Sequence, residues 1–384
     1  MRILFAHCFY RVSGGEDRHV RDQVDLVSRS HEVELIAESN ARLSENPATA
    51  GRMVYSHAKH REVGAIIDRF TPDVVHVHNN YPSLGPAVIL AARERGVPLV
   101  MTVHNLRLRC PNGLMFTEGS ICRRCQSGAY FNAITHACFP TRTQGASYAT
   151  ALWVHRFVMR LDRSIARFVV PSEFMRRRLL EWGIRSERVR LIRHFEWHAK
   201  EPIANTEVGS YGIFVGRLSA EKGLEVLLKA LRLAGDPPFL IVGDGPLKKV
   251  LNELARRLGL INTRFHSWSE PEVRELVAAA RYVAIPAVSE ESASMAALQG
   301  LLASRPLLVS DRGALPELVG TGAGLLCHPG DETDLAEKIV QLMEDDDLCR
   351  RASREAASLA DEVSNPHRHL TQLEDMYREV ASTN

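Results

Sequence analysis

Nowhere do the 384 residues hold an uninterrupted apolar run of about 18, so the sequence offers no segment able to cross a bilayer as a helix. Charge of one sign is missing too. The 48 Lys and Arg meet 46 Asp and Glu for a formal net charge of +2, which argues against wholesale nucleic-acid binding. The basic stretches "RLRC" (107–110) and "MRRRLLEWGIRSERVR" (175–190) read as local contact surfaces or solvated helix faces. The opening "MRILFAHCFYRVSGG" has an apolar run too short for a signal-peptide core, and no small-residue cleavage site follows it. It reads as a buried strand, so a cytoplasmic protein is expected, with peripheral attachment to the inner membrane face left open.

What is present is a repeated rhythm. Short runs rich in Val, Ile and Leu alternate with helical patterns: "RILFAH", "HEVELIAE", "DVVHVH", "PLVMTVH" and "RFVVPS" in the first half, "YGIFVGR", "PFLIVGDG", "TRFHSW", "YVAIPAV", "PLLVSD" and "GLLCHP" in the second. Continuous apolar strands separated by helices imply parallel sheets buried on both faces. The polar stretch "WHAKEPIANTEVGSYG" breaks the rhythm near residues 196–210. The expectation is an α/β chain of two Rossmann-like, doubly wound domains, 1–198 and 199–366, facing each other across a cleft. A final helix, 367–384, carries an apolar stripe at Leu370, Leu373, Met376 and Val380 for packing back on the first domain.

In "GIFVGRLSAEKG", Gly216, Arg217, Lys222 and Gly223 follow a strand and open a helix. Two cations beside a helix amino terminus suit a diphosphate, although solvated charges at a strand-to-helix turn would look the same. "VGDGP" (242–246) is a second glycine turn; it lacks the third glycine of the dinucleotide fingerprint and reads as structural. These pieces, with "LLVSDRGALPELV", resemble in order and combination the retaining family 4 glycosyltransferases of GT-B architecture, over nearly the whole chain. The resemblance implies a nucleotide-sugar donor, UDP first and GDP second, and a hydroxyl acceptor that is a small molecule, a lipid-linked saccharide or a glycan. It assigns Arg217 and Lys222 to the diphosphate, Glu291 to donor-sugar hydroxyls and position 299 to the ribose. Here position 299 is Gln, the usual Gly-Phe-Gly is Ser292, Ala293 and Ser294, and the usual Gly before "x-Pro" is Ser304. An amide oxygen still accepts a hydrogen bond, so Gln299 is a tolerable exchange; its other reading is a plain helix residue. By the same match the backbone around Trp268 contacts the base, whereas a lone Trp is otherwise a core residue.

In the first half the resemblance places the loop of Gly14 and Gly15 over the donor phosphates. Glu16 and Asp17 then contact the acceptor or simply cap the helix with favourable charge. His104 matches the family histidine that orients the donor sugar, and His78 is a candidate on the acceptor side. No Asp-x-Asp triplet ends a strand, in keeping with a diphosphate neutralised by side-chain cations and no cofactor required for catalysis. Cys110, Cys122, Cys125 and Cys138 cluster around one Cys-x-x-Cys; structural zinc, disulfides and free thiols all fit that spacing. Arg156, Arg160 and Arg163 recur at helical spacing and suit an anionic membrane surface, a charged acceptor or water. A sugar-nucleotide epimerase and a non-catalytic sugar-nucleotide binder are the rival readings.

Overall fold

A computed structural model describes residues 1–11, 14–40, 47–196, 207–267, 270–320 and 322–382. It divides the chain into two units. Met1–Glu118, Cys122–Arg193 and Pro366–Asn384 form the first, and Gly119–Ile121 with His194–Asn365 the second. Trp268 and most of the stretch read as a linker lie outside the described residues.

The strands are β1 (Arg2–Phe9), β2 (Glu32–Ser39), β3 (Val74–Val77), β4 (Leu99–Thr102), β5 (Phe116–Thr117), β6 (Ser120–Ile121), β7 (Arg167–Val170), β8 (Val189–Leu191), β9 (Gly212–Val215), β10 (Phe239–Val242), β11 (Thr263–His266), β12 (Tyr282–Ile285), β13 (Leu307–Ser310) and β14 (Gly324–Cys327). One six-stranded sheet runs β2-β1-β3-β4-β7-β8 and the other β11-β10-β9-β12-β13-β14, while β5 and β6 form a small hairpin. Every pairing in both large sheets is parallel. The central strands β3, β4, β9, β12 and β13 are buried at every position, which is why they read as unbroken apolar runs.

In each sheet the chain reverses its direction of growth once. That point lies between β1 and β3 in the first sheet and between β9 and β12 in the second. Loops at the carboxyl ends of such strand pairs diverge and leave a crevice, the usual ligand position in open α/β sheets.

The last helix, Pro366–Ser382, belongs to the first unit, where Leu373, Met376, Tyr377 and Val380 share a buried cluster with Ile3, Phe5, Val74 and Val169. Two local expectations need correction. β8 and the β5–β6 hairpin were not anticipated, and the helix expected to run on through Arg163 ends early. An α-helix over Arg142–Trp153 passes into a π-turn over Val154–Val158, and Arg160 then takes left-handed dihedrals (φ 52°). Arg188 holds the chain beyond the break by donating to the Asp162 carbonyl at 2.5 Å and to that of Ile165. Arg156, Arg160 and Arg163 therefore do not share one helix face.

Candidate functional site

The second unit's site candidates meet where its strand order reverses. After β9, Gly216 (φ 157°) turns the chain into Arg217, and a single helical turn, Ala220–Lys222, ends at Gly223 (φ 72°). A Cβ at Gly223 would stand 1.9 Å from the Pro286 carbonyl oxygen, so only glycine lets this loop close on the segment after β12. Backbone bonds from Val288 and Ser289 to the Glu221 carbonyl (3.0 and 3.3 Å) fasten the two segments. As a result Lys222 Nζ reaches Glu291 Oε1 at 2.6 Å, with the side chains 27% and 11% exposed. Burial alone would lower the Lys222 pKa, but the charge and hydrogen bond of Glu291 outweigh it and raise the pKa. Arg217 stands exposed beside this pair and forms no ion pair among the described residues.

Glu291 is held from behind. The Ala314 N–H donates to its carbonyl at 2.8 Å. Ser294 caps the helix Met295–Leu302 by accepting from the Ala297 N–H (3.3 Å), and Gln299 is buried on that helix. Its amide makes no hydrogen bond among the described residues. Ser304, two residues past the helix, takes φ 54°, the left-handed region that explains why the resembling family places Gly there. The turn at Gly243 is structural, as expected: a Cβ there would lie 1.9 Å from the Gly216 carbonyl oxygen, and Leu218 N–H donates to the Asp244 carbonyl (2.9 Å).

In the first unit, Gly14 precedes the helix Gly15–Ser28, with Glu16 and Asp17 in its first turn. Asp17, a candidate acceptor contact, instead faces inward. It is 1% exposed, pairs with His7 Nε2 at 2.8 Å and accepts from the Tyr10 N–H. Glu16 faces the other way, accepting from the Tyr10 hydroxyl (2.9 Å) and Asn105 Nδ2 (3.4 Å) through Oε2, while Oε1 is buried without a partner. Burial raises its pKa.

His78 directly follows β3 and His104 follows β4; their Nδ1 and Nε2 share a 2.8 Å hydrogen bond and the rings stack at 5.1 Å. Both are buried. Burial, then neighbouring His76 and His104, press the His78 pKa well below its ordinary value, so the ring is neutral. Its Nε2 has no partner. Glu16, His78 and His104 line one cavity of about 80 Å³ together with Asn105, Arg107, Arg109 and Arg156. The arginines of "RLRC" were visible in the sequence only as a basic stretch; the turn after β4 is what points them at the strand ends.

Cys110, Cys122, Cys125 and Cys138 line a second, smaller cavity of about 10 Å³ and are all free thiols. Burial, and then proximity to one another, push the Cys125 thiol up to about 12. Cys110 Sγ donates to Asn112 Oδ1 (2.9 Å), and Cys125 Sγ to the Ala129 carbonyl (3.6 Å). Among the described residues no three His, Cys, Asp or Glu side chains are arranged as a metal shell. No described helix is long and apolar enough to cross a membrane.

Comparison with known proteins shows the family and the fold. Residues 13–195 match the Glycosyltransferase Family 4 model and residues 196–359 the model for Glycosyl transferases group 1. An uncharacterized glycosyltransferase of Methanocaldococcus jannaschii is 23% identical over 362 residues, 91% of this chain and 90% of that protein. The alpha-D-kanosaminyltransferase of Streptomyces kanamyceticus is 28% identical over 175 residues, 44% of this chain and 45% of that one. Among solved structures, Anabaena HepE in complex with UDP and glucose superposes with a TM-score of 0.71 at 19% identity, covering 99% of this chain and all of the other.

Proposed function

The chain belongs to the family 4 type of glycosyltransferase, on the GT-B fold of two Rossmann-like domains, and from that premise we propose that it moves a hexose-type sugar from a nucleotide donor to an acceptor hydroxyl with retention of configuration. The observation that carries the reading is the Lys222–Glu291 pair at the strand-order reversal, with Arg217 unpaired beside it.

A leaving nucleoside diphosphate gathers negative charge as the sugar–oxygen bond breaks. Arg217 forks onto phosphate oxygens and Lys222 adds a point charge, so the charge is met by groups already in place. With two fixed cations there, the proposed reaction needs no divalent metal. Glu291, held by Lys222, presents its remaining carboxylate oxygen to sugar hydroxyls, and the Gln299 amide has a free acceptor for a ribose hydroxyl. Retention follows if the acceptor enters on the face the diphosphate vacates. The Anabaena HepE structures hold UDP, glucose and UDP-glucose, which favours a uridine donor over guanosine as first choice.

The test is a panel of sugar nucleotides scored by the thermal midpoint, because a ligand that binds the native state raises it with concentration. A UDP-hexose should give the largest shift, and Arg217→Ala should abolish it. No shift with any sugar nucleotide discards the proposal, and epimerised donor without acceptor would replace transfer with isomerisation.

A further inference from the structure

Three arginines line the cavity of the first unit, and none has an anionic partner among the described residues. Arg107 donates to the Pro111 carbonyl (3.0 Å), lies over the rings of Tyr81 and Tyr148 (5.7 and 5.4 Å), and keeps its Nε buried without a partner. Arg109, 6% exposed, donates only to the carbonyls of Leu108 (3.0 Å) and Trp182 (3.3 Å). Arg156 donates to the Gln126 carbonyl (3.2 Å) and the Tyr130 hydroxyl (2.9 Å). The acids on the same wall, Glu16 and Asp162, make no direct ion pair with the three, although Glu16 acts electrostatically on Arg107 and Asp162 on Arg109.

Each guanidinium has five donors, and these use one or two. Carbonyls supply dipoles but no charge, and Glu16 and Asp162 act on Arg107 and Arg109 without direct contact, so three cations in one cavity face at most two carboxylates and an anionic ligand would bring the missing counter-charge. At about 10–15 Å³ per water, the cavity of about 80 Å³ holds roughly half a dozen waters, enough for a phosphate or for the carboxylate end of a larger acid. On the same wall, Glu16 Oε1 and His78 Nε2 are buried polar atoms without partners.

We propose that this cavity binds the acceptor through an oxyanion, a phosphate or a carboxylate, held by Arg107, Arg109 and Arg156, while Glu16 and His78 receive the hydroxyl that takes the sugar. Ile89, Leu152 and Phe168 supply apolar wall for the carbon skeleton between them. The acceptor role rests on the glycosyl-transfer reading; the anion site itself rests on the arginines.

The test is titration of the intact protein with inorganic phosphate and, separately, with L-malate at matched ionic strength, read as the thermal midpoint and repeated for R156Q, R109Q and R217A. One or both anions should raise the parent's midpoint. The concentration needed should rise roughly tenfold or more in R156Q and R109Q, the loss of one charge-assisted contact, while R217A, which removes only the proposed diphosphate contact, keeps the parent's malate response. If buried Arg109 does not tolerate exchange, R156Q carries the comparison. Response to phosphate alone assigns a phosphorylated acceptor, and response to malate alone a carboxylate. The proposal is overturned if neither anion shifts the parent, or if R156Q responds as the parent does. A UDP-hexose run alongside separates the two readings. A donor response without an anion response removes this inference only, whereas an anion response with no donor response removes the acceptor role together with the transfer reading.

Discussion

Glu291 and Gln299 sit eight residues apart, yet the structure gives them unlike surroundings. Glu291 has a cation 2.6 Å away and its backbone clasped by Ala314, whereas Gln299 is buried on a helix face with its amide unengaged. Removing the carboxylate therefore does two things: it deletes the proposed sugar contact and releases Lys222 from the partner that raises its pKa. Glu291→Ala should lower kcat/KM by about 100-fold or more, since a hydrogen bond to a charged group is worth about 1.5–3 kcal/mol and Lys222 is displaced as well. Gln299→Glu should leave donor affinity unchanged or tighten it by no more than about tenfold, because a carboxylate would strengthen the ribose bond proposed for the amide. Steady-state kinetics of both variants settle the assignment, and equal, negligible effects would sink it. The sequence alone carried the identity of these two residues through the family's spacing. It could not show that Lys222 and Glu291, 69 positions apart, touch, because that contact depends on β9 and β12 lying side by side.

At the scale of elements, the long apolar runs were legible because central parallel strands are buried on both faces and leave little choice of residue. What was not legible is shorter than the period needed to see it: the three residues of β8, the two-residue strands of the hairpin, and the π-turn that halts the helix before Arg160. The helix break also explains why Arg156 turns to the cavity while Arg160 and Arg163 are exposed. A different departure lies at the exit of Met295–Leu302. Ser304 holds φ 54°, where a Cβ is penalised by roughly 1 kcal/mol and glycine is not. Ser304→Gly should raise the stability of the second unit by about 0.5–1 kcal/mol in urea denaturation without altering donor binding, and a destabilised variant would show that the Ser304 side chain does more than tolerate the turn. In the cysteine loop, a zinc ion would have to draw Cys110 from Asn112 and Cys125 from Ala129, and deprotonate thiols that burial holds in the neutral form. The zinc proposal expects one zinc per chain in protein purified without chelator, and less than a stoichiometric content discards it in favour of free thiols.

The first unit is completed by the last helix, whose residues finish the core that the first strand begins. Tyr377 hydroxyl meets His76 Nδ1 at 2.6 Å under the first sheet, and His369 donates to the Arg193 carbonyl at 2.8 Å. Both imidazoles are buried, and burial presses His76 to about 3 and His369 to about 4; His78 and His155 are lowered as well. An unfolded histidine titrates near 6.5. Between that value and the native ones the unfolded chain binds protons that the native chain refuses, so stability must fall as pH falls through this window and level off above about 7. At pH 5 the His76 difference alone amounts to about 2 kcal/mol, with His369 adding a similar amount, a large part of the stability of an ordinary domain. Carboxylates held low by ion pairs act only below about pH 4.5, whereas the Glu16 carboxyl, raised by burial, works in the opposite sense and makes the histidine slope shallower. Urea midpoints of the first unit's transition should drop steeply from pH 7 to pH 5, and His76→Asn should flatten that slope by close to one proton while lowering stability at pH 7 through the lost Tyr377 contact. A flat profile would mean that the imidazoles are hydrated or charged in the native state, and that the packing of the last helix against β3 is looser than its contacts indicate.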